Sequence, residues 1–190
     1  MREQSLLCKV VKKDPEALKK LYDDYAPKLF SLCMRYMGNR ADAEDVLHDG
    51  FIKILENLPG FRMGPACNLE GWMKKIMVNT ALNNLRQRAK EEKLISFDKA
   101  EGKMDVHDEE FSEEDAFPVI PEKEVILEMI GNLPAGYRTV FNLYVFEEYS
   151  HREIAVMLGC SEGTSKSQLS KARVMLRHSL TSVFEKEKRY

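Results

Sequence analysis

The sequence predicts an all-α protein: two small helical domains joined by a long acidic linker, the C-terminal one containing a helix-turn-helix. Three observations predict it. Before residue 93 apolar residues recur at spacings of three and four, and no segment alternates with the period of two that a strand requires. Between Asp98 and Asp115 nine acids stand against two bases, in a stretch poor in apolar periodicity. Near the C-terminus, Ser150 and Glu153 form an S-x-x-E capping box, Gly159 follows as a helix stop, and Ser161 is a second cap.

A length of 190 residues allows one compact domain or two small ones, and 32% charged residues beside 44% hydrophobic ones describe a globular chain. No apolar run is long enough to span a bilayer, and Met1-Arg2-Glu3-Gln4-Ser5 lacks a signal-peptide core, so a cytoplasmic location without membrane insertion is expected. Cys8, Cys33, Cys67 and Cys160 are scattered, with no C-x-x-C and no histidine at ligand spacing. Buried reduced thiols are expected, and no metal or other cofactor. The formal net charge of −2 conceals the acidic segment, without which the chain is net positive.

The elements follow in order. Ser5 to Lys12 makes a short helix. Asp14-Pro15-Glu16 opens a longer one with an N-cap, a proline at the first helical position and an acid near the positive end. Its stripe is Leu18, Leu21, Tyr22, Tyr25, Leu29, Cys33 and Tyr36, and Pro27 is expected to kink or split it. Gly38-Asn39 stops that helix and opens the next, where Ala43, Leu47, Gly50, Phe51, Ile54 and Leu58 form one apolar stripe. Glu44, Asp45, His48, Asp49 and Lys53 lie outside the stripe. Leu58-Pro59-Gly60 ends it, and a loop from Phe61 to about Leu69 leads into a long helix from Glu70 to about Lys90.

From Glu91 to about Ile120 the chain reads as a linker, which divides it into domains 1–92 and 121–190 around residues 93–120. A plain solvated tether accounts for it; a sharper reading lays it along a basic channel of a partner. Pro121 then begins a helix with Val125, Ile126, Met129, Ile130 and Leu133 inward. Pro134 begins another with Tyr137, Val140, Phe141 and Tyr144 inward, and the helix-turn-helix pair completes the domain.

Two helix faces point to nucleic acid. On the long helix Trp72, Lys75, Asn79, Asn83, Arg86 and Lys90 recur at three and four residues, leaving Ile76, Thr80 or Ala81, and Leu85 for the core. An aromatic beside amides and cations suits unstacked single-stranded bases, which need both stacking and edge hydrogen bonds. In the helix-turn-helix, Ile154 and Leu158 face inward, and Ala155 is small enough for a close crossing. Gly163 and Thr164 let the next helix approach a phosphate, and donors at Lys166, Ser167, Gln168 and Lys171 face the groove. The bland alternatives are a solvated basic face over a buried tryptophan and an ordinary antiparallel helix pair.

Taken together, these motifs resemble bacterial sigma factors of the extracytoplasmic-function group, the two-domain minimal form of the sigma-70 family. Asp42-Ala43-Glu44-Asp45-Val46-Leu47-His48-Asp49-Gly50-Phe51-Ile52-Lys53 is similar to the family's polymerase-binding helix, and Leu69-Glu70-Gly71-Trp72-Met73-Lys74-Lys75-Ile76-Met77-Val78-Asn79-Thr80 to its promoter-melting, minus-10-reading helix. Leu133-Pro134-Ala135-Gly136-Tyr137-Arg138 and the run from Gly163 to Arg173 resemble the region that reads the minus-35 element.

The resemblance implies a monomeric, non-enzymatic subunit that binds core RNA polymerase and promoter DNA and helps open the promoter, with an anti-sigma factor as a candidate further partner. It implies that Asp45, His48, Asp49 and Lys53 meet the polymerase and that Trp72, Lys75, Asn79, Asn83 and Arg86 lie at the melted strand. The loop from Phe61 to Leu69 then forms a pocket for a flipped base. Ser161, Gly163, Thr164, Lys166, Ser167, Gln168, Lys171 and Arg173 serve the upstream duplex, and the linker runs through the polymerase channel. The chain departs from the family at His48 and Asp49, where glutamine and glutamate are usual, at Ser165, commonly valine, and at Gln168, often basic.

Two other classes compete. Asp45-x-x-His48 with Glu44 and Asp49 faintly resembles di-iron bundle ligands, but no second such pair exists on another helix. No nucleophile triad, Walker loop or dinucleotide fingerprint is present. The stronger rival is a stand-alone dimeric helix-turn-helix regulator on a palindromic site, which has no use for the Trp72 to Lys90 helix.

Overall fold

The computed structural model describes residues 3–62, 64, 68–92 and 122–187. Its helices are α1 (Glu3–Val11), α2 (Pro15–Met37), α3 (Arg40–Asn57), α4 (Leu69–Glu92), α5 (Lys123–Gly131), α6 (Ala135–Phe141), α7 (His151–Leu158) and α8 (Glu162–Glu187). A 3-10 turn, Leu58–Gly60, follows α3, and a π-helical turn, Asn142–Phe146, follows α6. No helix is long and apolar enough to cross a membrane among the described residues. The chain forms two compact units, Met1–Gln87 and Arg88–Tyr190.

In the first unit the helix ends form as the residue types dictate. Asp14 accepts from Ala17 N at 2.9 Å, and Asn39 accepts from Asp42 N at 2.9 Å. Gly38 adopts φ 76°, the left-handed conformation that ends α2. Of the kink or split expected at Pro27, the split does not occur: α2 runs from Pro15 to Met37 as one helix. The imide removes one intrahelical hydrogen bond, and the buried Ala26, Leu29 and Leu32 beside it carry the helix across the gap.

The core of this unit gathers Leu21, Leu29, Tyr36, Val46, Ile54 and Met73, all nearly fully buried. Tyr22 departs from the expected stripe and is exposed. Its ring leans on Phe51 at a centroid distance of 4.7 Å, at the rim of the core. Gly50 of α3 leaves room for the Met77 thioether of α4, which occupies the place an added Cβ would take. Lys28 and Lys74 both reach Glu70, at 2.8 and 3.0 Å, tying the start of α4 to α2.

The thiols divide. Cys33 is fully buried, and desolvation pushes it up to about 12. Cys8 is exposed instead, since α1 turns only Leu6 and Val10 fully inward; Cys160 is half-buried, and Cys67 lies outside the described residues. The acidic linker and Pro121 also lie outside them, although Glu91 and Glu92 belong to α4.

In the second unit α5, α6 and α7 pack against the long α8, with Leu133, Tyr137 and Ala172 in the core and Phe141, Met175 and Leu176 partly buried against it. The buried Arg138 guanidinium donates to Gly131 O, at the end of α5, and to Leu133 O, in the connection to α6. Burial holds the Arg138 pKa below its ordinary value. Gly136 of α6 lies against Gln168 of α8, where an added Cβ would make ordinary van der Waals contact with Gln168 Oε1 at 3.4 Å.

The π turn overturns one sequence expectation. An α-helical register carried past Phe141 turns Tyr144 inward, but the wider turn buries Asn142 and Leu143 and leaves Tyr144, Val145 and Phe146 exposed. The buried Asn142 Nδ2 donates to Arg138 O at 2.9 Å, which holds the turn in place.

Ser150 caps α7 in a full capping box: its hydroxyl accepts from Glu153 N, and Glu153 accepts from Ser150 N at 2.9 Å. Replacing Ser150 by Ala should cost about 1 kcal/mol and lower the melting temperature by about 4–8 °C, read by circular dichroism of the full chain. An unchanged melting curve contradicts the capping role. Alkylation followed by mass spectrometry should label Cys8 in the native chain and Cys33 only after unfolding; equal native labelling contradicts the burial.

Candidate nucleic-acid interface

The first candidate surface is the outer face of α4. Asn68 caps this helix, accepting from Gly71 N at 2.7 Å, and a Cβ at Gly71 would sit 3.0 Å from that oxygen. Leu69, Met73, Met77, Ala81 and Leu85 turn inward. Lys75, Asn79 and Asn83 are consequently exposed, while Trp72 and Arg86 are half-buried beside them. Sequence spacing placed these five residues on one face, and the backbone does bring them there. Arg86 Nη1 donates to Asn83 Oδ1 at 2.8 Å. Thr80 and Ala81 both turn inward, whereas Ile76, expected in the core, is half-buried at its edge.

Trp72 does not stand alone. Phe61, from the preceding loop, lies against it with ring centroids 4.7 Å apart and planes inclined at 38°. The pair makes a broader apolar platform than the single tryptophan read from the sequence. A cleft of about 450 Å³ lies near the start of α4, lined by Tyr25, Asn68, Glu70, Gly71 and Lys74. Hydrogen bonds from Lys28 and then Lys74 hold the Glu70 carboxyl below its usual pKa, so it is anionic near neutrality. The loop expected to hold a flipped base is described only at residues 61, 62, 64, 68 and 69, and Lys90's side chain also lies outside the described part.

The second surface is the outer face of α3. Asp45, His48 and Asp49 are exposed together. Ile52 and Leu55, 45% and 38% exposed, extend the same surface at helical spacing. The sequence reading missed both; their signal was two large apolar residues outside the stripe. Lys53 is only half-buried and turns toward α4, where Nζ donates to Thr80 Oγ1 at 3.3 Å. It is therefore set apart from the acidic face with which the sequence grouped it.

The third surface is the helix-turn-helix. Gly159 adopts φ 69°, and Ser161 accepts from Thr164 N at 3.0 Å to begin α8. Ile154, Ala155 and Leu158 close the α7 side. The cap Ser161 is exposed, as are Gly163, Lys166, Ser167 and Arg173 on α8, and Thr164 and Lys171 are half-buried at the flanks. Gln168 is the clear correction. It is 4% exposed and packs against Gly136, so it supports the helix from behind and does not face outward.

Ser165 is also fully buried, and its hydroxyl lies 2.9 Å from His151 Nδ1. A part-buried polar pair therefore links α7 to α8. The His151 ring stacks on Tyr144 at 4.6 Å and 22°, and Arg173 lies over the same tyrosine, 5.9 Å from its centroid. Arg173 thus joins an aromatic stack at the edge of the outer face of α8. His151 and Tyr144 escaped the sequence reading because the π turn redirects Tyr144.

Comparison with known proteins gives these faces a common setting. The Sigma-70 region 2 family matches residues 21–91, and the Sigma-70 region 4 family matches residues 123–176. The chain is 28% identical to the ECF RNA polymerase sigma-E factor of Haemophilus influenzae, covering 95% of this chain and 96% of the relative. It is 30% identical to the RNA polymerase sigma-H factor of Pseudomonas aeruginosa, covering 90% of each. Among solved structures, the sigma factor RpoE of Bartonella quintana, determined with the anti-sigma factor NepR, shares the fold. The TM-score is 0.50 at 24% identity, over 86% of this chain and 96% of that one. The chain therefore belongs to the sigma-70 family, in the extracytoplasmic-function group of RNA polymerase sigma factors.

Proposed function

We propose that this alternative sigma factor divides promoter recognition between two helices, α4 for the melted strand and α8 for the upstream duplex. The observation that carries this reading is the sorting of each helix into a buried face and a donor-bearing outer face. In α4 the outer face combines Lys75, Asn79, Asn83 and Arg86 with the Phe61–Trp72 platform, a combination that suits unstacked bases. In α8 it combines Gly163, Lys166 and Ser167 near the helix start, which suits a major groove and its phosphates.

The functional division follows residues 1–92 and 121–190, with 93–120 as the acidic tether. Asp45, His48 and Asp49, extended by Ile52 and Leu55, form the surface for core RNA polymerase. Lys53 steadies that surface from behind. The factor works as a cytoplasmic monomer that binds and positions, and makes or breaks no covalent bond. An anti-sigma factor is its expected antagonist, as the complex of the Bartonella relative suggests. A stand-alone dimeric regulator is disfavoured, because the region 2 match spans the whole α4 face that such a repressor does not need.

Transcription from a dependent promoter by core polymerase and the purified chain tests the division. Lys166→Ala should weaken closed-complex formation and reduce the slope of log affinity against log salt by about one counterion. Trp72→Ala should leave polymerase recruitment intact and reduce strand opening, read by permanganate reactivity, by about tenfold, the scale of one lost base stack, and Asn79→Ala should act in the same direction through a lost edge hydrogen bond. Failure of both classes at the same step contradicts the division.

A further inference from the structure

A buried hydroxyl needs a partner, and Ser165 finds one across the helix-turn-helix in His151. His151 is the first residue of α7 and is half-buried. One edge of its ring meets Ser165 inside the domain, while its face stacks on Tyr144, which in turn carries Arg173. The imidazole therefore links the interior of α8 to the cations on its outside.

The charged groups around it can be named. From α8, Lys166 and Arg173 oppose a positive imidazole, and Glu162 favours one. From the π turn, Tyr144 supplies an aromatic face. On α7, Arg152 and Glu153 are exposed, and Glu153 is engaged with Ser150. Burial first, then Lys166 and Arg173, hold the His151 pKa below its ordinary value.

We propose that His151 is a positioning residue for the upstream duplex, and that the C-terminal unit takes up a proton at this ring when it engages DNA. The inference rests on the reading that Lys166 and Arg173 meet the duplex. Phosphates neutralise the two cations that oppose the imidazolium and add a negative field of their own. The protonated state, costly in the free protein, becomes favourable in the complex. With both ring nitrogens protonated, Nδ1–H donates to Ser165 Oγ and fixes the direction of that bond.

The sign follows from linkage. The DNA-bound pKa lies above the free one, so affinity rises as pH falls through the bound value and levels off below the free value. Between the two, one proton taken up gives at most about a tenfold change in affinity per pH unit.

The test uses the chain assembled with core RNA polymerase and a fluorescent upstream duplex, titrated between about pH 5.5 and 8, a window set around the ordinary histidine value. His151→Asn retains an amide able to bond Ser165 but does not titrate. Wild type should bind more tightly as the pH falls, and the variant should lose up to about one proton of that slope. Identical slopes overturn the proposal. If the variant does not fold, histidine NMR of the wild-type chain with and without duplex decides: a His151 midpoint raised by DNA supports the proposal, and an unmoved one overturns it. Lys166→Ala separates the layers. If it leaves binding and its salt slope unchanged, the reading of α8 itself falls; if it weakens binding while His151→Asn keeps the wild-type pH slope, only the proton coupling falls.

Discussion

A long helix that keeps one face outward has to be held from behind, and that constraint organises both units. In α8 the rear face is Ser165, Gln168, Leu169 and Ala172, each at most 4% exposed, which fixes Gly163, Lys166 and Ser167 outward. In α4 the rear face is Met73, Met77 and Ala81, which fixes Lys75, Asn79 and Asn83 outward. The helices that support α8 have only nine, seven and eight residues, too short to persist alone in water. They depend on packing and on satisfied ends. Arg138 at the α5–α6 connection and the Ser150–Glu153 box at α7 are therefore part of what holds the outer face of α8 in place, although neither lies on it.

Small residues perform the same service where helices meet. The missing Cβ of Gly50 leaves room for the Met77 thioether, and Gly136 lies in contact with Gln168. Charge acts locally and modestly. The Lys28–Glu70–Lys74 group is largely exposed, and such pairs contribute at most about 1 kcal/mol each. Its role is to fix the start of α4, directly before the aromatic platform. Lys53 similarly spends its ammonium on Thr80 and braces α3 against α4.

Much of this was legible in the sequence, because caps and periodicity are local properties. Asp14, Asn39, Ser150, Gly159 and Ser161 announce helix ends within three or four residues, and the structure uses each accordingly. The α4 face was legible for the same reason: a long helix keeps its phase. What escaped was set by non-local contact or by a change of phase. The π turn shifts the register after Phe141, which sends Tyr144 outward and Leu143 inward. Gln168 looked like a groove donor because its polarity was visible and its neighbour Gly136, over thirty positions earlier, was not. The His151–Ser165 pair spans fourteen residues and two helices, so Ser165 registered in the sequence only as a departure from a common valine.

The central claim is that opposite faces of α4 and α8 do different jobs, and that the outer ones meet different parts of one promoter. Photo-crosslinking in the polymerase complex tests it most directly, with a crosslinking amino acid placed in turn at Asn79, Ser167 and Gln168. The account predicts capture of the melted strand from position 79, capture of the upstream duplex from position 167, and little DNA capture from position 168. Capture of the same DNA segment from positions 79 and 167, or capture from 168 equal to that from 167, would contradict it.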